Sequence, residues 1–418
     1  MPKFPKNDIM SLVGTKPRYD LAESVGPDLQ VADVLDAFGP SSLSNMALSY
    51  GTAEGDPRLR QAIADFHGVS PGDVVTTVGG MHALFLLAFI LCDPGDEAVT
   101  SAPVFPLARN ALEVVGAKVR TLSLSFDRAY RPDPVELDRL LSPRTKLVSL
   151  ASPQNPSGVA LSLKTVQDIV TLMDDKCPDA YLVLDETYRE AAYGDDSVSA
   201  TALGLSPRVI SCASLSKCHG APGLRVGWAI TRDPALRDQL VLGKFTTVIC
   251  CSPLDEALAL KVLQQRDHII GERRPRLAEG LARTADWVLA NEGFVEWVRP
   301  DAGAICCVRL KPSVFSDLAV SRFYGLLANE GVRVANGSWF GDDARVFRLG
   351  FGLLSLPDLE AALKILSVVL RETACDSPSL RVPAKGAAAS RVSSVGGLET
   401  PGPRSDMVVR REDGGERR

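Results

Sequence analysis

Through the first 250 residues, short apolar and β-branched runs alternate with longer stretches whose hydrophobic positions recur at helical spacing. Asp56 stands before Pro57 and a periodic stretch to about His67, which predicts a capped helix with proline at its first position. Residues 74–78 predict a strand ending at Gly79-Gly80. Residues 83–92 are apolar all round, as in a buried helix, and run into Asp93-Pro94-Gly95. Further strands are predicted at 98–100, 119–124, 146–150, 181–184, 209–212 and 226–230, with helices between most of them, for example at 106–115 and 162–174. Seven strands alternating with helices imply an α/β fold on a mostly parallel sheet covered on both faces.

The pattern changes after Ile249. Long helical stretches at 252–265 and 268–291 precede short strands at 295–298 and 304–310, a helix at 316–329, strands at 332–335 and 346–349, and a last helix at 357–371. These predict a smaller α+β domain over 251–372, beside a large domain over 46–250. Residues 1–45, with several Pro and Gly and only short periodic runs, read as an arm contributing to the small domain. Residues 373–418 hold no aromatic side chain and are dominated by Ser, Gly, Pro, Ala and Arg, so they are expected to be a disordered tail.

Composition narrows the class. Hydrophobic residues make up 45% and charged residues 23% of the 418, ordinary for a globular chain with ample core. A formal net charge of −5 gives no electrostatic reason to expect nucleic acid or an anionic membrane as a partner. Residues 1–9 contain no continuous apolar run and do not read as a secretory signal, and 83–92 is too short to span a bilayer. Nine cysteines without C-x-x-C spacing, with the doublets Cys250-Cys251 and Cys306-Cys307 in apolar runs, suggest reduced core thiols, no metal site and a cytoplasmic setting.

In open parallel sheets, sites form where strands end. The first predicted strand ends at Gly79-Gly80-Met81, either a plain tight turn or a helix N-terminus able to hold a phosphate. The fourth ends in Ser-Pro-Gln-Asn-Pro-Ser-Gly, where Asn155 between two prolines is a turn former or a fixed amide donor. Asp185 follows the apolar residues 181–184, so its carboxylate needs a cationic or hydrogen-bonding partner unless it merely caps a helix, and Tyr188 lies three residues on. The sixth leads into S-L-S-K, with Ser214 and Lys217, and then G-L-R-V-G-W with Arg225. A lysine there suits an amine that reaches a bound aldehyde, provided burial and nearby cations lower its pKa, and Arg225 suits a phosphate clamp. His82 and His219 sit near these motifs and read as a core-facing helix residue and as loop filler.

Over residues 21–371, these motifs, with N-P-S-G, D-E-T-Y and F-R-L-G in order, resemble those of the class I/II aminotransferases, enzymes of fold type I that use pyridoxal 5′-phosphate. The resemblance implies that Lys217 forms the internal aldimine, that Ser214, Arg225 and the Gly80 and Met81 backbone bind the phosphate, and that Asp185 pairs with the pyridine nitrogen. It further implies that Asn155 and Tyr188 bond the ring oxygen, that Phe105 stacks on the ring, and that Arg348 grips the substrate α-carboxylate with Asn155 beside it. Tyr50 resembles the tyrosine that reaches the phosphate of a neighbouring subunit, which implies a homodimer. The implied activity is transfer of an amino group between an L-amino acid and a 2-oxo acid. The same resemblance leaves open cyclisation as in capreomycidine-synthase-like enzymes, β/γ-elimination, decarboxylation, oxidation, or a non-catalytic binding module. Two departures bear on the substrate: the N-terminal glycine that borders the substrate in many relatives has no clear counterpart near Glu23-Ser24-Val25, and Phe105 stands where many have Tyr or Trp.

Overall fold

The computed structural model describes residues 4–5, 7–12, 16–35, 43, 45–193 and 200–375. In chain order, the two-residue strand Tyr19–Asp20 (β1) and the short helix Val31–Leu35 (α1) precede Pro57–His67 (α2). Asp56 caps α2 as the sequence predicts, accepting from Arg58 N at 2.7 Å and Leu59 N at 3.4 Å. There follow Val74–Val78 (β2), Gly79–Leu91 (α3), Glu97–Ala102 (β3), Pro106–Val114 (α4), Lys118–Ser123 (β4), Pro134–Leu140 (α5), Thr145–Ala151 (β5), Leu163–Lys176 (α6), Tyr181–Asp185 (β6), Val209–Ser214 (β7), Val226–Ile230 (β8) and Pro234–Val248 (α7).

These strands form a seven-stranded sheet in the order β2-β8-β7-β6-β5-β3-β4, with β8 antiparallel to both neighbours and the other pairs parallel. Alternate residues of each strand go to opposite faces. Val75, Leu147, Val183, Ile210 and Ala229 join one core with α3, whereas Val148, Leu182, Leu184 and Val209 pack with Val166, Ile169 and Val170 of α6. Near β8 that second face is covered by α2, through Leu59 and Ile63, against Trp228 and Ile230. The all-round apolarity of α3 follows from its place, because it packs on the sheet and also against α4 and α7.

The chain continues through Pro253–Gln264 (α8), Arg266–Ala290 (α9), Val295–Val298 (β9), Ile305–Leu310 (β10), Asp317–Asn329 (α10), Val332–Arg333 (β11), Ala335–Asn336 (β12), Val346–Gly350 (β13) and Leu356–Cys375 (α11). A second, four-stranded sheet runs β12-β13-β10-β9, with every neighbouring pair antiparallel. Two sequence expectations are corrected here. The single strand expected at 332–335 is two: β11 pairs in parallel with β1, and β12 joins the four-stranded sheet. The last helix continues to Cys375, with Thr373 and Ala374 buried, because apolar positions 366, 369, 370 and 374 carry its buried stripe one turn further, so 373–375 are not tail. The rest of the expected tail, 376–418, lies outside the described residues. Among the described residues no helix is long and apolar enough to cross a membrane, and no cluster of His, Cys, Asp or Glu could hold a metal ion.

The register of β2 on β8 brings Thr77 opposite Gly227. A Cβ at Gly227 would stand 2.5 Å from Gly79 C and 2.6 Å from Gly80 N, so only glycine lets β8 lie against the turn that opens α3. Gly227→Ala is therefore expected to destabilise the fold by about 1–3 kcal/mol through overpacking. Denaturant titration checks this, and an unchanged midpoint would mean that the turn moves aside without cost.

Candidate active site

The first component of the site is the turn just described. Gly79 has φ +70° and opens the thirteen-residue helix α3, whose N-terminus has no side-chain cap. The Arg225 guanidinium occupies the place a Gly79 side chain would need. Ser214, at the end of β7, lies across from Gly227, and Gly80 faces Ala213 O and the Ser214 side chain. Uncapped N–H groups at a helix start, beside a guanidinium in a cradle cleared of Cβ atoms, make an anion site of phosphate character. Arg225 itself is exposed, adopts a left-handed backbone (φ +51°) and donates to Pro222 O at 2.8 Å. Met81 sits in the first turn of α3, half-buried against its core.

Lys217 follows β7 by three residues. Its Nζ donates to Ser24 Oγ at 3.1 Å. Burial, with the nearby Arg348 charge, pushes its ammonium down to about 8, against the opposing pull of Glu23, Asp185 and Asp28. Asp185 ends β6 and accepts from Thr187 N at 3.0 Å and from the Thr187 hydroxyl. Burial raises its carboxyl pKa although these bonds and Lys217 lower it, so a further cation, such as a protonated ring nitrogen, would stabilise the carboxylate.

Arg348 lies in β13, opposite Cys307 of β10 and Ala335 of β12, and is only 2% exposed. Its Nη1 donates to Asn155 Oδ1 at 2.7 Å and its Nη2 to Ala22 O, while Nε has no hydrogen-bond partner. Asn155 Nδ2 in turn donates to Tyr188 OH at 3.4 Å. Burial pushes the Tyr188 phenol up to about 12, opposed by the Arg348 charge and by Ser24. Residues 22, 155, 188 and 348, far apart in sequence, thus form one network beside Lys217.

The hydrogen bonds that gather these groups do not include Phe105 or Tyr50. Phe105, half-buried, precedes Pro106 at the start of α4, just beyond β3. Tyr50 is 80% exposed, at the head of a Thr52–Asp56 turn held to α8 by Glu256, which accepts from Asp56 N at 3.1 Å and from the Thr76 hydroxyl at 2.6 Å. The histidines differ from expectation. His82 does not face the core: its ring is half-buried between Val78 N (3.3 Å) and Thr247 Oγ1 (3.0 Å), because α7 passes the start of α3. His219 is not loop filler but is 1% exposed, with Nε2 3.3 Å from Glu190 Oε2. Sequence reasoning missed Ser24, Thr187 and Arg273. Thr187 lay inside a motif already noticed, and its spacing of two from Asp185 is that of a side chain closing onto its neighbour. Ser24 lies in no recognisable motif, and nothing local ties it to Lys217. Arg273, whose guanidinium fills the space that a Gly220 side chain would need (φ +67°) and donates to Pro27 O at 2.6 Å, left no local signal.

Residues 18–366 match the family profile of class I and II aminotransferases. The chain belongs to that family. Capreomycidine synthase of Streptomyces vinaceus is 30% identical over 332 residues, 79% of this chain and 83% of the relative. The arginine–pyruvate transaminase AruH of Pseudomonas aeruginosa is 30% identical over 365 residues, 82% and 88% of the two chains. A pyridoxal-phosphate-dependent aminotransferase of Streptococcus suis superposes with a TM-score of 0.80 at 25% identity, covering 89% of this chain and 99% of that one. The fold is fold type I, and this aminotransferase-family chain is pyridoxal-phosphate-dependent. The residues present fit that cofactor: an anion cradle at Gly79-Gly80 and Arg225, a carboxylate at Asp185 that calls for a cation, and a lysine with a lowered pKa.

Because Lys217 titrates near 8, its amine is largely neutral a unit or more above that pH, whereas a solvated lysine needs pH above about 10.4. Labelling of the cofactor-free protein with an amine-reactive reagent, read at the Lys217 peptide by mass spectrometry, is expected to reach half its limiting rate near pH 8. A half-point above pH 10 would show an ordinary solvated amine.

Proposed function

We propose that this protein is an aminotransferase that moves an amino group between an L-amino acid and a 2-oxo acid, with Lys217 as its catalytic base. The observation that carries this reading is the buried Arg348, whose Nε is unpaired and whose Nη1 is held by Asn155, beside the lowered-pKa Lys217. A planar guanidinium with an unsatisfied N–H suits a carboxylate, which it binds through paired hydrogen bonds. Bound pyridoxal 5′-phosphate supplies an aldehyde and an electron-withdrawing ring. With it bound, Arg348 would fix the α-carboxylate, Lys217 as a neutral amine would take the proton from Cα and deliver it at the cofactor's aldehyde carbon rather than back to Cα, and Asp185 would hold a proton on the ring nitrogen. In this reading Asn155 and Tyr188 bond the ring oxygen, Ser214, Arg225 and the Gly80 and Met81 amides bind the phosphate, and Phe105 flanks the ring.

We read the active unit as a cytoplasmic homodimer with Tyr50 reaching the partner's phosphate. Exposed apolar side chains on α3 and α7, Phe89, Leu242 and Phe245, together with Ile249 and the exposed Tyr50, support an interface there. The similarity to capreomycidine synthase supports cyclisation of an amino acid as the second reading.

Incubating the holoenzyme with a panel of L-amino acids, followed by absorbance and by mass spectrometry of products, separates the two. A 2-oxo acid together with aminated cofactor is expected; a cyclic product that keeps its amino group would establish the second reading. Lys217→Ala is expected to lose the absorbance band of the bound cofactor and at least about 10²-fold in rate, the scale of removing a general base. Arg348→Ala is expected to raise KM for the amino acid by about tenfold or more, the worth of a charged hydrogen bond. An unchanged KM would place the carboxylate elsewhere.

A further inference from the structure

Lys217 sits in a loop that the chain holds from several sides. Ala221 N donates to Leu215 O at 3.0 Å, closing the loop on itself, and Gly220 O accepts from Leu29 N at 2.8 Å. The loop also lies against the turn that carries Tyr188, where Cys218 Sγ donates to Thr187 O at 3.1 Å. His219, the next residue, meets Glu190 of that turn, with Nε2 3.3 Å from Glu190 Oε2, and both side chains are buried. The contact is at ion-pair distance without the alignment of a hydrogen bond, and His219 Nδ1 has no hydrogen-bond partner among the described residues. Glu190 is therefore the one polar partner of a buried imidazole, and losing such a partner is costly.

The other Glu190 oxygen accepts from Nε of Arg266, the first residue of α9. The Arg266 guanidinium lies 3.9 Å from the centre of the Phe66 ring, and that of Arg189 4.5 Å from it. Seven residues on, and so on the same face of α9, Arg273 fills the space beside Gly220 of the Lys217 loop. Other nearby carboxylates do not serve here. Glu186 is held by Arg189, Ser211 and Thr201, and Asp267, which also pairs with Arg266, is exposed and screened by water. We infer that Glu190 is a positioning residue: through His219 it fixes the Lys217 loop against the turn that follows Asp185, and through Arg266 it ties both to α9. It acts on the reaction only by where it places the Lys217 amine. This rests on the proposed reading of Lys217 as the catalytic base.

The pH dependence of Lys217 labelling in the full-length, cofactor-free protein reports this placement, and the sign of its shift is decisive. Removing the Glu190 charge would by itself lower the midpoint, because a carboxylate stabilises a nearby ammonium. Loosening the loop lets water reach the amine and raises the midpoint toward about 10.4. Glu190→Gln is expected to raise it by about one unit or more. A side chain that only stabilised the fold would lower the melting temperature and leave the midpoint in place. His219→Gln, which keeps an N–H for Glu190, is expected to retain the wild-type midpoint, and His219→Leu, which does not, to raise it. In the holoenzyme Glu190→Gln is expected to lose about tenfold or more in kcat, as a misplaced reacting group does, with KM for the amino acid unchanged because Arg348 is untouched. An unchanged or lowered midpoint in Glu190→Gln overturns the inference. Where that variant does not fold, equal midpoints in His219→Gln and His219→Leu overturn it. A wild-type midpoint above pH 10 overturns it together with the reading of Lys217. Product analysis on the holoenzymes tests the reaction separately. A raised midpoint with a cyclic product would sink the transaminase reading alone, whereas a 2-oxo acid product with an unmoved midpoint would sink the positioning role alone.

Discussion

The burial of Arg348 is the constraint on which the rest of the site depends. A guanidinium with 2% exposure is held by Asn155, 193 residues away, and by the carbonyl of Ala22, 326 residues away. An isolated charge in that position would cost several kcal/mol, so the four-stranded sheet, the loop after β5 and the N-terminal segment must meet there together. Their meeting has an electrostatic consequence. The positive charge of Arg348 is the largest contributor after burial to the lowered pKa of Lys217, so the group suited to grip a carboxylate also helps keep the amine neutral.

The second constraint is steric. β8 returns antiparallel between β2 and β7, and its Gly227 lies against the Gly79-Gly80 turn with no room for a Cβ. That contact sets the start of α3 beside Arg225 and Ser214, so an anion site forms from backbone and one guanidinium rather than from a cluster of cations. Asp185 ends β6 and Lys217 follows the adjacent parallel strand β7 by three residues, so both stand at the same edge of the sheet. The chemistry therefore gathers at strand ends because parallel strands all end on one edge.

The sequence alone determined the α/β class, the seven strands and the family, because strand alternation, Pro and Gly punctuation and the S-L-S-K and G-L-R-V-G-W motifs are local signals. It did not show that residues 332–335 divide between two sheets, since two-residue strands have no periodicity to read. Nor did it show that the last helix keeps its buried stripe to Ala374, or that His219 is buried beside Glu190. Only the tertiary structure brought Ser24 to Lys217, Asn155 to Arg348 and Arg273 under Gly220. Those are long-range pairings, and the energy of a charge depends on what surrounds it in space rather than on its neighbours in the chain.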